Sequence, residues 1–286
     1  FKDVTNIANN SLNDTANTFV LSSVSDTADS YTTLLIHFDG TDGDTSDITA
    51  TTGQTVSLEG DAQLDTAQKI FGVSSILFDG TGDYATVPDH ANWYFAANPF
   101  TIDLWLKIDA MAFTGGICGQ YADANNYWEF YIDGGLPKFK IVTGGVTKAD
   151  YRSANYVQLG GWCHLELARS GTSIYIFIDG VAATVVADTA ISTNEVPDLA
   201  AVLEIGAVLN HTSLLTGWID EFRISKGIAR HTAAFTPHAK PYATNGLYAL
   251  VGSPRPLKGF KPYVNVANQP TSTLTGSVWK GSTWQT

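Results

Sequence analysis

The chain has 286 residues, of which 44% are hydrophobic, 12% aromatic and only 15% charged, with a net charge of −12. Thr (33), Gly (26) and Asp (22) far outnumber Glu (6), a balance that favours strands and turns and excludes a coiled coil or helical repeat. No apolar run approaches the ~20 residues of a membrane helix, the aromatic content argues against wholesale disorder, and the acidity disfavours phosphate backbones, so neither membrane insertion nor a nucleic-acid partner is expected.

In chain order, residues 1–31 are rich in Asn, Ser, Thr, Asp and Ala without a clear period, and read as an extended N-terminal arm without its own core. Residues 32–242 carry the alternating patterns of strands. Leu34–Phe38, Ser75–Phe78 and Tyr84–Val87 come first, followed by Ile102, Leu104, Leu106 and Ile108 alternating with polar or amphipathic partners. Trp128, Phe130 and Ile132 then meet Asp133-Gly134-Gly135 and return through Phe139 and Ile141. Trp162–Ala168 is followed by Ile174, Ile176 and Ile178, which end at Asp179-Gly180 and lead into Val181–Val186. Val202–Ile205 and Gly217–Ile224 complete the set. Asp-Gly occurs five times, at Asp39, Asp42, Asp79, Asp133 and Asp179, and between alternating runs it marks a hairpin. About a dozen strands on tight turns, without a βαβ rhythm, predict an all-β fold: a two-sheet antiparallel sandwich with an N-terminal arm and an irregular tail.

The tail, residues 243–286, holds four prolines, Arg255, Lys258, Lys261 and Lys280, and no acid. It also holds Tyr248, Phe260, Tyr263, Trp279 and Trp284, an aromatic content that a solvated linker seldom carries. Either it folds back on its own sandwich or it docks on a neighbouring subunit through Phe260, Tyr263, Trp279 and Trp284, stapling a homo-oligomer or larger assembly. Cys118 and Cys163 are too few for a disulfide framework or a zinc site; one bridge and two free thiols both remain open.

The segments Leu34–Gly43 (LLIHFDGTDG), Ser75–Val87 (SILFDGTGDYATV), Phe100–Ile108 (FTIDLWLKI), Gly161–Arg169 (GWCHLELAR), Ile174–Val181 (IYIFIDGV) and Gly217–Ser225 (GWIDEFRIS) follow one another in a recognisable order. In that order they resemble the laminin-G-like branch of the concanavalin A-like lectin/glucanase jelly rolls. The continuation Lys226–Pro237 (KGIARHTAAFTP) is similar to the ending seen in phage tail and virion members. The resemblance implies a jelly-roll sandwich, but the superfamily spans lectins, hydrolases, adhesins and structural modules, so function has to come from sites.

Hydrolases of the superfamily carry two glutamates and an aspartate on alternate positions of one strand, and retaining chemistry needs two carboxyls about 5 Å apart. This sequence has no Glu-x-Asp-x-Glu. Glu129 and Asp133 share a face, but Asp133 belongs to the Asp-Gly turn; Asp220 and Glu221 are adjacent and should point to opposite faces. With no Gly-x-Ser-x-Gly elbow either, no catalytic residue is assigned and the protein is expected not to be an enzyme.

Asp220 shares parity with Trp218, Phe222 and Ile224, the set expected to face the core, where an unpaired carboxylate is costly. The resemblance implies a structural Ca²⁺ held by Asp220, Asp39 and the Asp79-Gly80 turn, since hard oxygen ligands suit that ion. The alternative is that Asp39 and Asp79 only build turns while Asp220 accepts backbone N–H bonds or pairs with Arg223. His37 and His164 are expected to pack within strands, and His231 and His238 to be solvated.

Two loops offer aromatic platforms with amide side chains, the chemistry of sugar recognition: Asn92, Trp93 and Tyr94 in one, and Tyr121, Asn125, Asn126 and Tyr127 in the other. In the first, the aromatics could equally cap the sandwich edge. Two functions follow. One is a non-enzymatic virion (phage) or cell-surface structural or adhesion protein, attached through its terminal segments. The alternative is a carbohydrate-binding module with a rim-loop site for a surface glycan. Both place the molecule on a virion surface or outside the cell.

Overall fold

The computed structural model describes residues 29–109 and 114–242, together with the backbone of 278–279 and 284–285. By contacts the chain divides into Ser25–Gly246 and a second unit of Phe1–Val24 with Leu247–Thr286. In the second unit Val278–Trp279 and Trp284–Gln285 pair as a short antiparallel hairpin, with Trp279 opposite Trp284.

The first unit is built from strands β1 (Thr32–Ile36), β2 (Ile48–Thr49), β3 (Thr55–Glu59), β4 (Gln63–Asp65), β5 (Ser75–Asp79), β6 (Tyr84–Val87) and β7 (Phe100–Lys107). These are followed by β8 (Thr114–Asp123), β9 (Asn126–Asp133), β10 (Leu136–Thr143), β11 (Val146–Ser153), β12 (Trp162–Ser170) and β13 (Ser173–Ile178). The last are β14 (Val181–Ala182), β15 (Val185–Thr189), β16 (Leu203–Ile205), β17 (Ala207–Val208), β18 (Ser213–Leu214) and β19 (Thr216–Lys226). One eight-stranded sheet runs β14-β13-β12-β7-β19-β5-β4 with β1 added beside the far half of β19, and a nine-stranded sheet runs β15-β11-β10-β9-β8-β16-β6-β3-β2. All their strand pairs are antiparallel, so the chain is a jelly-roll sandwich as its pattern predicts.

Period-two alternation decides what lies between the sheets. Phe100, Ile102, Leu104 and Leu106 of β7 face inward against Trp128, Phe130, Ile132, Phe139 and Ile141 of β9 and β10, in one continuous buried core. The expected hairpin turns are present. Gly134 and Gly135 have φ of 58° and 79°, and Asp179 and Gly180 have 51° and 72°, the left-handed pairs that a two-residue turn needs. Cys118 in β8 and Cys163 in β12 lie in different sheets and are both buried free thiols.

One strand departs from regular alternation. Between Asp220 and Arg223 the pairing of β19 with β7 shifts register, and Glu221 has a φ of 51°. This bulge inserts one residue. Ile219, Phe222 and Ile224 face the core, whereas Asp220 stands opposite Trp105 on the outer face of the sheet. The expected core parity of Asp220 is therefore wrong: it is buried under the loop between β4 and β5.

After β19, residues 227–242 fold back over that outer face. Tyr242 donates its hydroxyl to Asp103 and its amide to Glu221, and its ring lies 3.8 Å from the Arg223 guanidinium. His238 accepts the Trp105 indole N–H (3.0 Å), and His231 Nδ1 lies 2.8 Å from Glu166. His238 is only 9% exposed. The two exit histidines are thus packed and bonded rather than solvated. Beneath them Arg223 Nε donates to Asp103 at 3.0 Å; burial alone would raise the Asp103 carboxyl, but the guanidinium holds it below the ordinary range.

Candidate functional site

The β8–β9 turn and the β10–β11 turn sit side by side at one end of the nine-stranded sheet. Asp123 Oδ1 accepts the Asn125 amide (2.7 Å), the Asn125 carbonyl accepts the Gly145 amide (2.9 Å), and Asn126 Oδ1 accepts the Gly144 amide (3.0 Å). Asn126 therefore works as a structural tie between turns, while the Asn125 side chain remains exposed. Gly144 and Gly145 supply the positive φ that lets the second turn come this close.

Just inside these turns Tyr121 and Tyr127 stand directly opposite each other on β8 and β9, half-buried, with ring centroids 6.0 Å apart and planes inclined by 32°. The rings share the sheet's outer face, side by side rather than stacked. Two residues further along β9 on the same face is Glu129, opposite Gly119 of β8 and Lys140 of β10; Lys140 in turn is opposite Asp150 of β11, with 3.8 Å between charges. Glu129 is 5% exposed, and no described residue donates a hydrogen bond to its carboxyl, whose oxygens are not among the atoms sealed from solvent. Burial, reinforced by Asp150 and opposed by Lys140 and Lys138, pushes its pKa up to about 7. Tyr131 follows, beneath the Lys138 ammonium, which also bonds Asp133 at 2.5 Å.

Gly116 and Gly119 leave β8 without side chains on this face, and the β17–β18 hairpin lies directly on them. A Cβ at Gly116 would come within 2.3 Å of the Ala207 backbone, and one at Gly119 within 3.3 Å of Val208. The hairpin tip, Leu209-Asn210-His211, has three successive positive φ values. The buried Glu204 carboxyl lies under this tip, 3.5 Å from His211 Nδ1 and with Oε2 unpartnered among the described residues, while the His211 ring stacks on Tyr84 with centroids 3.8 Å apart. Glu204 and Glu129 both flank Gly119, on β16 and β9. Sequence reading missed this relation, since only the register brings it about. Val208 stands over the glycine between them, so an apolar wall separates the two carboxyls.

In the other expected platform the central ring is closed off, while Asn92 and Tyr94 are half-buried. Trp93 is fully buried with its indole N–H on the Pro88 carbonyl (3.0 Å), and Phe95 stacks on Phe100 with centroids 4.6 Å apart. Asn92 donates to the Thr33 carbonyl, and the Tyr94 hydroxyl donates to Glu195. These residues cap the sandwich edge.

The expected calcium ligands fall into two groups. Asp39 Oδ1 accepts the Val73 and Ser74 amides and Asp220 Oδ2 those of Ile70 and Phe71, so both fasten the loop before β5. Asp79 lies opposite Thr216, four residues before Asp220 on β19, a separation of about 13 Å along a strand. Gly80 turns against Thr216. The carboxylates that come within 4.8 Å of one another are instead Asp61, Asp79 and Asp83, and Asp83 is itself bonded to the Asp61 and Asp79 amides. The Asp79-Gly80 turn is thus set apart from Asp220, whereas Asp39 and Asp220 hold neighbouring amides of one loop. Backbone amides account for Asp220 Oδ2, while its Oδ1 is buried without a hydrogen-bond partner among the described residues. Phe260 and Tyr263 lie outside the described residues, as do the side chains of Trp279 and Trp284.

The profile of the concanavalin A-like lectin/glucanases superfamily, laminin G type, matches residues 79–233, more than half of the chain. The protein belongs to that superfamily. Among solved structures, it is similar to domain 4 of AbnA, a GH43 extracellular arabinanase from Geobacillus stearothermophilus, in complex with arabinotriose (17% identity, TM-score 0.51, 69% of this chain and 93% of that one). It is also similar to the botulinum neurotoxin serotype C1 binding domain (14%, 0.51, 73% and 51%) and the binding domain of Paraclostridial Mosquitocidal Protein 1 (12%, 0.51, 73% and 51%). At these identities the likeness is one of fold, and the chain spans about half the length of the toxin domains. None of the curated protein sequences matches it significantly. No helix among the described residues is long and apolar enough to cross a membrane.

Proposed function

We propose that this protein is a non-enzymatic carbohydrate-binding module whose contact surface is the turn end of the nine-stranded sheet, around Tyr121, Asn125 and Tyr127. The observation that carries this reading is the tyrosine pair, two half-buried rings side by side on an outer face and rigidly placed by two interlocked turns. Ring faces of this kind bind the apolar face of a sugar, and the exposed Asn125 side chain supplies hydroxyl-bonding groups. Membership of a lectin superfamily and the likeness to binding domains, one of them holding arabinotriose, support the same reading. The test is a glycan array probed with the full chain, using neutral arabino-, xylo-, gluco- and galacto-oligosaccharides beside sialylated and uronic ones. Binding should appear and should weaken at least tenfold with Tyr127→Ala, whereas Trp93→Phe should leave it intact; an array silent for every glycan contradicts the reading.

A second reading rests on a different observation, the acid-free tail with its five large aromatics and four cations. In it the sandwich is displayed on a virion or cell surface, and the terminal segments fasten it into a homo-oligomer or larger assembly. The two are compatible in an adhesion fibre. Comparing the native mass of the full chain with that of a chain ending at Tyr242 decides whether the tail assembles anything.

A further inference from the structure

Glu129 is, with Glu204, one of two buried carboxyls on this face. It is only 5% exposed, no described residue donates a hydrogen bond to its carboxyl, and its oxygens are not among the atoms sealed from solvent, so a hydroxyl from outside can reach them. Its surroundings are also unusual. On one side Gly119 has no side chain and Val208 of the β17–β18 hairpin rises as a wall; on the other Lys140 points to the same face. Tyr127 and Tyr131 precede and follow it at the period-two spacing of β9, so Tyr127, Glu129 and Tyr131 form one row along that strand, with Tyr121 of β8 beside its first member.

Charge narrows what can lie on that row. Lys138, Lys140 and Arg152 already face Asp133, Asp150 and Asp188 respectively, so these cations are matched by carboxylates on their own sheet. The whole chain carries −12. An anionic group brought here would meet Glu129 and Asp150 with no spare countercharge from these pairs, whereas a hydroxyl can donate to the carboxyl and accept from the lysine.

We infer that the row Tyr127–Glu129–Tyr131 is an extended subsite for a neutral glycan chain, with Glu129 as the hydroxyl-binding group at its floor and Lys140 beside it. This deepens the carbohydrate-binding reading and rests on it. The sugar held at Tyr121 and Tyr127 would be the terminal unit, and the following units would run along β9 toward Tyr131.

Isothermal titration of the full chain with neutral oligosaccharides of one to five units, and with uronic or sialylated counterparts, tests this. Affinity should rise with length beyond the disaccharide, and Glu129→Ala should lower it at least tenfold for the trisaccharide and longer while leaving shorter sugars unchanged. Glu129→Gln should retain part of the affinity, because an amide still bonds hydroxyls, and thermal melts of both variants confirm that they fold. Uronic and sialylated chains should bind at least tenfold more weakly than neutral ones. If Tyr127→Ala weakens binding but Glu129→Ala changes no length, the extended subsite is wrong and the tyrosine reading stands. If acidic chains bind as tightly as neutral ones, the choice of ligand class is wrong. Insensitivity to Tyr127→Ala overturns the underlying reading itself.

Discussion

The cost of Glu129 can be read as a pH dependence. Burial raises its pKa from an ordinary 4.5 to about 7, with Asp150 adding to the effect and Lys140 and Lys138 opposing it, while Tyr127 and Tyr131 flank it on its own strand. The folded state therefore holds a proton between pH 4.5 and about 7 that the unfolded chain has released. Stability contributed by this group is present at low pH and is lost as pH rises through that window, by roughly 3 kcal/mol in all. Urea midpoints at pH 5 and pH 8 should fall further with rising pH in the native chain than in Glu129→Gln; identical slopes would show that the carboxyl is solvated. The sequence displayed Glu129 as an outward strand residue but compared it only with Asp133 along the chain. Its real neighbours, Gly119, Lys140 and Glu204, come from other strands, and register is not written in any one segment. Trp93 illustrates the opposite problem, because composition cannot tell a platform from a cap. Asp220 was misread because alternation was assumed to continue through Glu221, and nothing in Trp218–Ile224 announces the bulge.

Strands and turns were far more legible. The alternation of β7, β9 and β13 and the pairs Gly134-Gly135 and Asp179-Gly180 placed hairpins that the fold contains, because a positive φ at two successive residues has few chemical solutions. The β17–β18 hairpin escaped this logic. Its tip uses Leu209, Asn210 and His211 in left-handed conformations, each costing roughly 1–2 kcal/mol, and meets other strands through His211, which stacks on Tyr84 and approaches Glu204. The hairpin also depends on what is missing beneath it. With Ala207 backbone atoms 2.3 Å from where a Cβ would lie, Gly116→Ala has to lift the hairpin or bend β8. A loss of about 1–3 kcal/mol in unfolding free energy is expected, accompanied by faster proteolysis between residues 207 and 214. A variant as stable and as resistant as the native chain would mean that the hairpin does not rest on β8.

At the scale of the molecule, one sheet face is closed and the other partly open. The outer face of the eight-stranded sheet is sealed by residues 227–242 over Asp103, Arg223, Trp105 and Glu166, with Tyr242 as the last anchor. Among the described residues, the outer face of the nine-stranded sheet carries the short β17–β18 hairpin, with β9 and β10 beside it. The family order of segments foretold the sandwich, yet gave no indication of which face would be covered, since His231 and His238 look like solvent residues until their partners on the sheet are known. The most direct measurement is hydrogen exchange of the full chain with and without the neutral trisaccharide that binds best in the titration. The account predicts added protection in residues 121–131 and 138–146, with none in residues 88–96 or in residues 227–242. Protection confined to either of those last two regions would contradict it.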